Sequence, residues 1–164
     1  MIVSLIFSVL IGQSTPAPTE AFLSVTPPQG YVDVTKPNAA AFSRFWERGA
    51  GSQAEEIGVL LDDASTKSTR AYATDVFVAS LRASGAADAV LVSGRDTKVC
   101  GLIGYEANVT FSKGGVIQVA TALILKTNDN VLTAMYQRPA GIPEDLKSTA
   151  AVRKLCPPKT APKK

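Results

Sequence analysis

A chain of 164 residues with 46% hydrophobic content and a mean hydropathy of +0.13 has the apolar content of a folded globule, not of a disordered polymer. Its formal charge of +3 is an uneven average, because Arg153, Lys154, Lys159, Lys163 and Lys164 take five of the 17 basic residues into the last stretch and leave about 12 against 14 acidic ones elsewhere. A weakly acidic body has no phosphate-binding character, so nucleic acid is not expected as a partner.

In chain order, Met1 to Ile11 is an uncharged apolar run. It has the length of a signal-peptide core and falls short of the roughly 20 residues that span a bilayer. Gly12, Gln13 and Ser14 suit a cleavage site, and Pro16 and Pro18 break any continuing helix. Residues 1–14 therefore read as a cleaved secretory leader and 15–20 as a Pro-rich linker. Residues 21–157 form a single α+β domain, followed by a basic Pro/Lys tail over 158–164. The expected location is secreted or periplasmic, with no stable membrane span once the leader is removed. In such an oxidising space Cys100 and Cys156 are expected to form one disulfide. The alternative, a redox-active thiol pair, has neither a Cys-x-x-Cys spacing nor a histidine to lower a thiol pKa.

Ala21 to Val25 reads as a strand stopped by Pro27 and Pro28, and Gly30 turns the chain into a second strand, Tyr31 to Val34. Asn38 is a suitable cap for a helix over Ala39 to Glu47, with Phe42, Phe45 and Trp46 on one stripe. Ile57 to Leu61 predicts a strand, Ser65 to Arg70 a loop, and Thr74 to Ser84 a helix with Phe77 and Leu81 one turn apart. Ala89 to Val92 predicts a strand ending in a turn at Gly94 to Asp96. From Ile103, strict alternation places Ile103, Tyr105, Ala107, Val109 and Phe111 on one face. A hairpin at Lys113 to Gly115 leads to a return strand, Val116 to Lys126, with Ile117, Val119, Leu123 and Leu125 on one face. Asn128 to Asn130 turns into Val131 to Arg138. Three long antiparallel strands thus form a meander. Pro143 suits the first position of a closing helix whose Leu146, Val152 and Leu155 pack on the sheet, and Cys156 pins its far end. The fold class is α+β: an antiparallel sheet with helices packed on it.

The segment Phe22-Leu-Ser-Val-Thr-Pro27-Pro28-Gln-Gly30-Tyr31 resembles the start of the PsbP/Mog1/DcrB superfamily (the DUF1795 type), and the order of elements over residues 21–157 is similar to it. The resemblance implies a non-enzymatic binding or assembly module. It carries over no functional residues, because the motif in common is structural.

The chemistry encoded in the chain is sparse. With no histidine, triads, His-based zinc sites and His acid/base catalysis are excluded. Ser-x-x-Lys, dinucleotide-binding and Walker-type glycine patterns and calcium loops are also missing, so neither cofactor nor metal is expected. Glu55-Glu56 and Asp62-Asp63 are the obvious paired carboxylates for hydrolysis, and each flanks a predicted strand. Asn108-Val-Thr110 matches a glycosylation acceptor but falls inside a strand. Tyr31 and Tyr136 are expected to cap sheet edges. Candidate binding residues are Asp62, Asp63, Lys67, Arg70 and Tyr72, along the longest polar connection, and Trp46 as a half-exposed aromatic. The preferred function is an exported, non-enzymatic module that binds another protein to assist assembly or secretion. The alternative is an inhibitor or immunity protein that uses the Asp62 to Tyr72 segment as a plug against an envelope hydrolase.

Overall fold

The computed structural model describes residues 26–34 and 43–156. The leader, the linker, the Ala21 to Val25 strand and the basic tail lie outside the described residues. Seven strands form one antiparallel sheet in the order β1-β2-β3-β7-β6-β5-β4. They are β1 (Val32–Asp33), β2 (Ser43–Arg48), β3 (Glu55–Asp63), β4 (Val90–Val99), β5 (Leu102–Lys113), β6 (Val116–Lys126) and β7 (Asn130–Pro139). The meander has four strands, because β4 joins it. The fold is α+β, as the sequence indicates.

Helices cover both faces of this sheet. On one side lie α1 (Thr69–Tyr72) and α2 (Val78–Ala83), joined without a break by a π-helical turn at Ala73–Phe77. Tyr72, Phe77 and Val78 pack there against Tyr105, Val109, Phe111, Ile124 and Met135. On the other side α3 (Leu146–Arg153) sends Val152 onto Trp46, Ile57, Leu123, Leu132 and Tyr136. The central strands are therefore buried on both faces, which is why β6 and β7 read as nearly continuous apolar runs.

Several expectations change. The helix over Ala39 to Glu47 gives way, in its described part, to β2, which pairs along its whole length with β3. Phe45 and Trp46 point to opposite faces of a strand, so adjacent aromatics serve two cores where a helix would have put both on one stripe. The predicted loop up to Arg70 ends earlier, because the Ser68 side chain accepts from the Ala71 amide and starts α1 at Thr69. Gly94 to Asp96 is not a turn. It runs inside β4, paired with Tyr105 to Ala107, and the chain reverses at Cys100-Gly101, both at positive φ (55° and 80°). Finally, Pro143 does not open the closing helix. Asp145 caps it through the Lys147 amide, and Leu146, expected to pack, is 74% exposed. Tyr136 is also not at an edge: it lies buried in β7, near the middle of the sheet.

Cys100 and Cys156 form the expected disulfide, with Cα atoms 5.7 Å apart and a sequence separation of 56. It joins the β4–β5 turn to the residues just after α3. Closing a loop of that length is worth roughly 4 kcal/mol by chain-entropy reasoning. The Cys100→Ser, Cys156→Ser protein is accordingly expected to unfold in urea with about 4 kcal/mol less stability than the oxidised protein. A loss under about 1 kcal/mol would show that the bridge is not a structural clamp.

Candidate functional site

The helical layer over the Met135 face is shorter than the sheet it covers, and the uncovered part is a groove of about 480 Å³. Its walls are Phe45 from β2, Leu60 from β3, Phe77 and Leu81 from the helical layer, Phe111 from β5 and Met135 from β7. The wall at Phe45 depends on Gly58, directly opposite it in β3: a Cβ there would lie 3.1 Å from the Phe45 ring. Glycine thus lets an aromatic ring lie flat against the neighbouring strand.

Each end of the groove carries a carboxylate that already has a partner. At one end the Tyr72 hydroxyl donates to Asp62, and burial, followed by that hydrogen bond and the Asp62 charge, holds the phenol protonated well above its ordinary range. At the other end the Lys113 ammonium is bonded to the Glu56 carboxylate. Between them, on the groove face of β7, two buried polar groups have no partner: Thr133 Oγ1 and Gln137 Nε2. Thr133 Oγ1 lies near the Tyr72 hydroxyl but outside hydrogen-bond geometry. On the same face of β6, Gln118 donates Nε2 to the Ser52 carbonyl at 3.0 Å while its Oε1 is unpaired. Buried polar atoms without partners are uncommon, and two of the three among the described residues line one groove.

The opposite face is locked. Arg48 donates to Glu55 and to Asp145, each at 2.8 Å, and stacks over the Tyr31 ring with its guanidinium carbon 4.8 Å from the centroid. The Tyr136 hydroxyl donates to Glu55 at 2.5 Å and accepts from the Asp145 amide at 3.2 Å. Burial would raise the Asp145 pKa, but hydrogen bonds from Ser148 and Arg48 outweigh it and leave the carboxyl below its usual range. Glu106 behaves likewise: burial raises it, and Arg153 with Arg95 brings it down further.

Of the sequence-derived binding residues, the structure brings only Asp62 and Tyr72 to the groove. Asp63 is exposed at the end of β3. Lys67 is paired with Asp75 at 2.7 Å, and its carbonyl accepts from Lys126 Nζ, so the connection is tied down. Arg70 reaches across to Asp96 at 3.0 Å and over the Tyr105 ring. Trp46, expected to be half exposed, is buried beneath α3 at 6% exposure. The segment from Asp62 to Tyr72 is thus the end of a strand, a short tied connection and the first turn of a helix. Glu55-Glu56 and Asp62-Asp63 sit within β3, and neighbouring members of each pair point to opposite faces. The sequence places Phe45 on a helical core stripe and singles out none of Met135, Thr133 and Gln137, because the groove joins strands distant in sequence. The signal that was present is the polar Thr133 and Gln137 inside an apolar run. Among the described residues no group of three or more metal-ligating side chains gathers, and no helix is long and apolar enough to cross a membrane.

No protein-family model matches the chain, and no curated protein is similar to it in sequence. Among solved structures, it is similar to cyanobacterial PsbP (CyanoP) from Synechocystis, with a TM-score of 0.52 and 15% identity over 71% of this chain and 74% of that one. It is also similar to a protein from Bacteroides thetaiotaomicron, with a TM-score of 0.51 and 11% identity. That match spans 83% of this chain but only 45% of the larger protein. LpqN of Mycobacterium tuberculosis gives a TM-score of 0.49 at 10% identity, over 80% of this chain and 78% of LpqN. At these identities the likeness is one of fold, and the fold is PsbP-like.

Two predictions come from the locked face. Tyr136→Phe removes a donor from the buried Glu55 and is expected to cost about 1–3 kcal/mol in denaturant unfolding. An unchanged midpoint would show that the network contributes nothing. Asp145 and Glu106 both have depressed folded-state pKa values, so the folded chain binds fewer protons than the unfolded one as acid is added. Their contribution is complete above the ordinary carboxylate range of about pH 4 and is lost as pH falls through the lower folded values. Glu106→Gln should therefore lose less stability than the unaltered protein between about pH 6 and about pH 3. An identical acid profile would remove Glu106 from this role.

Proposed function

We propose that this protein is an exported, non-enzymatic accessory module, secreted or periplasmic, that works by holding a partner, and that the partner is another protein. The observation carrying this reading is the state of the groove's charged groups. Each of its two carboxylates already has an internal partner, Tyr72 for Asp62 and Lys113 for Glu56. A general acid or base needs a group free to exchange a proton with a substrate, and the chain has no histidine to take that part. A large apolar groove with occupied charges is suited to recognition more than to reaction. The disulfide supports an oxidising compartment. The tied geometry of the Asp62 to Tyr72 segment favours holding a partner over plugging an enzyme, since a plug must stand clear of its scaffold.

Cross-linking the exported protein in its own compartment, followed by mass spectrometry of the adducts, is expected to trap one recurrent protein partner. Turnover of a peptide, ester or glycoside substrate by the pure protein, abolished by Asp62→Asn, would replace this reading with an enzymatic one.

A further inference from the structure

We propose that the groove beside α2 is the binding site for a small uncharged amphiphile, an apolar chain joined to an amide or ester head. This goes beyond the protein partner proposed above and rests only on the groove being a place of recognition. Four features of the site lead there. Its volume, about 480 Å³, lies within the range of small-molecule pockets, roughly 300–1,000 Å³. Its walls are aromatic and aliphatic along the middle, where Phe45, Leu60 and Met135 face Phe77 and Leu81. Two buried polar atoms, Thr133 Oγ1 and Gln137 Nε2, are left without partners on its floor. Lastly, the lining holds two carboxylates against one ammonium, and that ammonium is already engaged by Glu56.

Together these features set the ligand's chemistry. Thr133 and Gln137 lie four residues apart on one face of β7, so about 13 Å of strand separates them, with Met135 between. A ligand along this line must be apolar in its centre and polar at an end. The open donor at Gln137 needs an acceptor, which a carbonyl supplies. Hydroxyls on the head add donors as well, so the head complements the Gln137 carboxamide in either orientation. A buried donor left unmet is unfavourable, so a ligand acceptor supplies what the groove lacks. A carboxylate head would meet a lining of net negative charge and no unengaged cation among the described lining residues, which disfavours anionic ligands. Beside Gln137, across from it on β3, Glu56 and its partner Lys113 form a hydrophilic rim where a polyhydroxyl head can rest.

The test uses the full exported protein and three probes: decanoyl-N-methylglucamide below its micelle-forming concentration, sodium decanoate, and the capped peptide acetyl-Leu-Phe-Leu-amide. Calorimetry is expected to show saturable one-to-one binding of the glucamide, with decanoate at least tenfold weaker. The Gln137 side-chain amide resonances should shift on titration. Leu60→Trp, at a partly exposed wall position, should abolish binding while the protein keeps its native spectrum. Gln137→Leu should weaken the glucamide about tenfold yet leave thermal stability equal or higher, because it deletes an unsatisfied buried donor. A purely structural glutamine would not separate these two effects. Equal affinity for glucamide and decanoate, no glucamide binding, or binding indifferent to Leu60→Trp would each overturn the proposal. Tighter binding of the peptide than of the glucamide would also overturn it and assign the groove to a protein partner. The cross-linking result stands apart from all of these outcomes.

Discussion

The closing helix is the element on which the rest of one face depends, and it cannot hold itself. At eight residues α3 is below the length at which an isolated helix is stable in water. It is held at both ends by groups from distant parts of the chain. At its start, Asp145 caps the helix and is itself bonded by Arg48 of β2. At its end, Arg153 makes two bonds to the buried Glu106 carboxylate, and the disulfide follows three residues later. Between these anchors Val152 closes the core over Trp46, Ile57 and Tyr136. The clamps work on one another: the Arg48 network fixes the helix direction, which brings Cys156 within bridging distance of Cys100.

The other face is built on a different principle. Its helical layer is continuous from Thr69 to Ala83 and packs chiefly over the strands at the β4 side of the sheet. The β2–β3 side of that face is left as groove wall. Were the groove only a packing fault, its floor would be expected to be apolar, as dry cavities generally are. Instead β7 places Thr133 and Gln137 there, at a desolvation cost the fold does not recover internally. The same strand bears Leu132, Ala134 and Tyr136 on its other face, where the apolar groups are packed and the Tyr136 hydroxyl is bonded on both sides. Residues one position apart in sequence are thus treated in opposite ways.

How much of this was legible in the sequence follows from the range of the interactions involved. The β5–β6–β7 meander was readable because period-2 alternation and glycine-rich turns are local signals. The disulfide was readable because only two cysteines exist to pair. β2 was misread because Phe42, Phe45 and Trp46 fit a helical stripe as well as they fit a strand buried on both faces, and only pairing with β3 decides between them. Gly94 looked like a turn because glycine often marks one. Its real task is steric, since a side chain there would collide with the Tyr105 ring packed across β4. The groove as a whole was not legible. It unites β2, β3, β5, β7 and the helical layer, and of the residues picked from the polar connection only Asp62 and Tyr72 reach it. Exposure in sequence terms pointed at Lys67 and Arg70, whose charges are spent on Asp75 and Asp96.

Alternation also explains how a groove can stay open in so small a protein. β3 and β7 give every second residue to the clamped face, through Ile57, Val59, Leu132, Ala134 and Tyr136. The intervening residues, Gly58, Leu60, Thr133, Met135 and Gln137, form the groove. Stability is secured on one side by burial, a charge network and a covalent bridge, so the residues between, Met135 excepted, are released from serving the core. A strand clamped from behind resists collapse into an adjacent void, because moving it would break the register of its neighbours and the bonds around Arg48 together. The groove keeps its shape for that reason, and its unsatisfied polar atoms stay where a ligand can meet them.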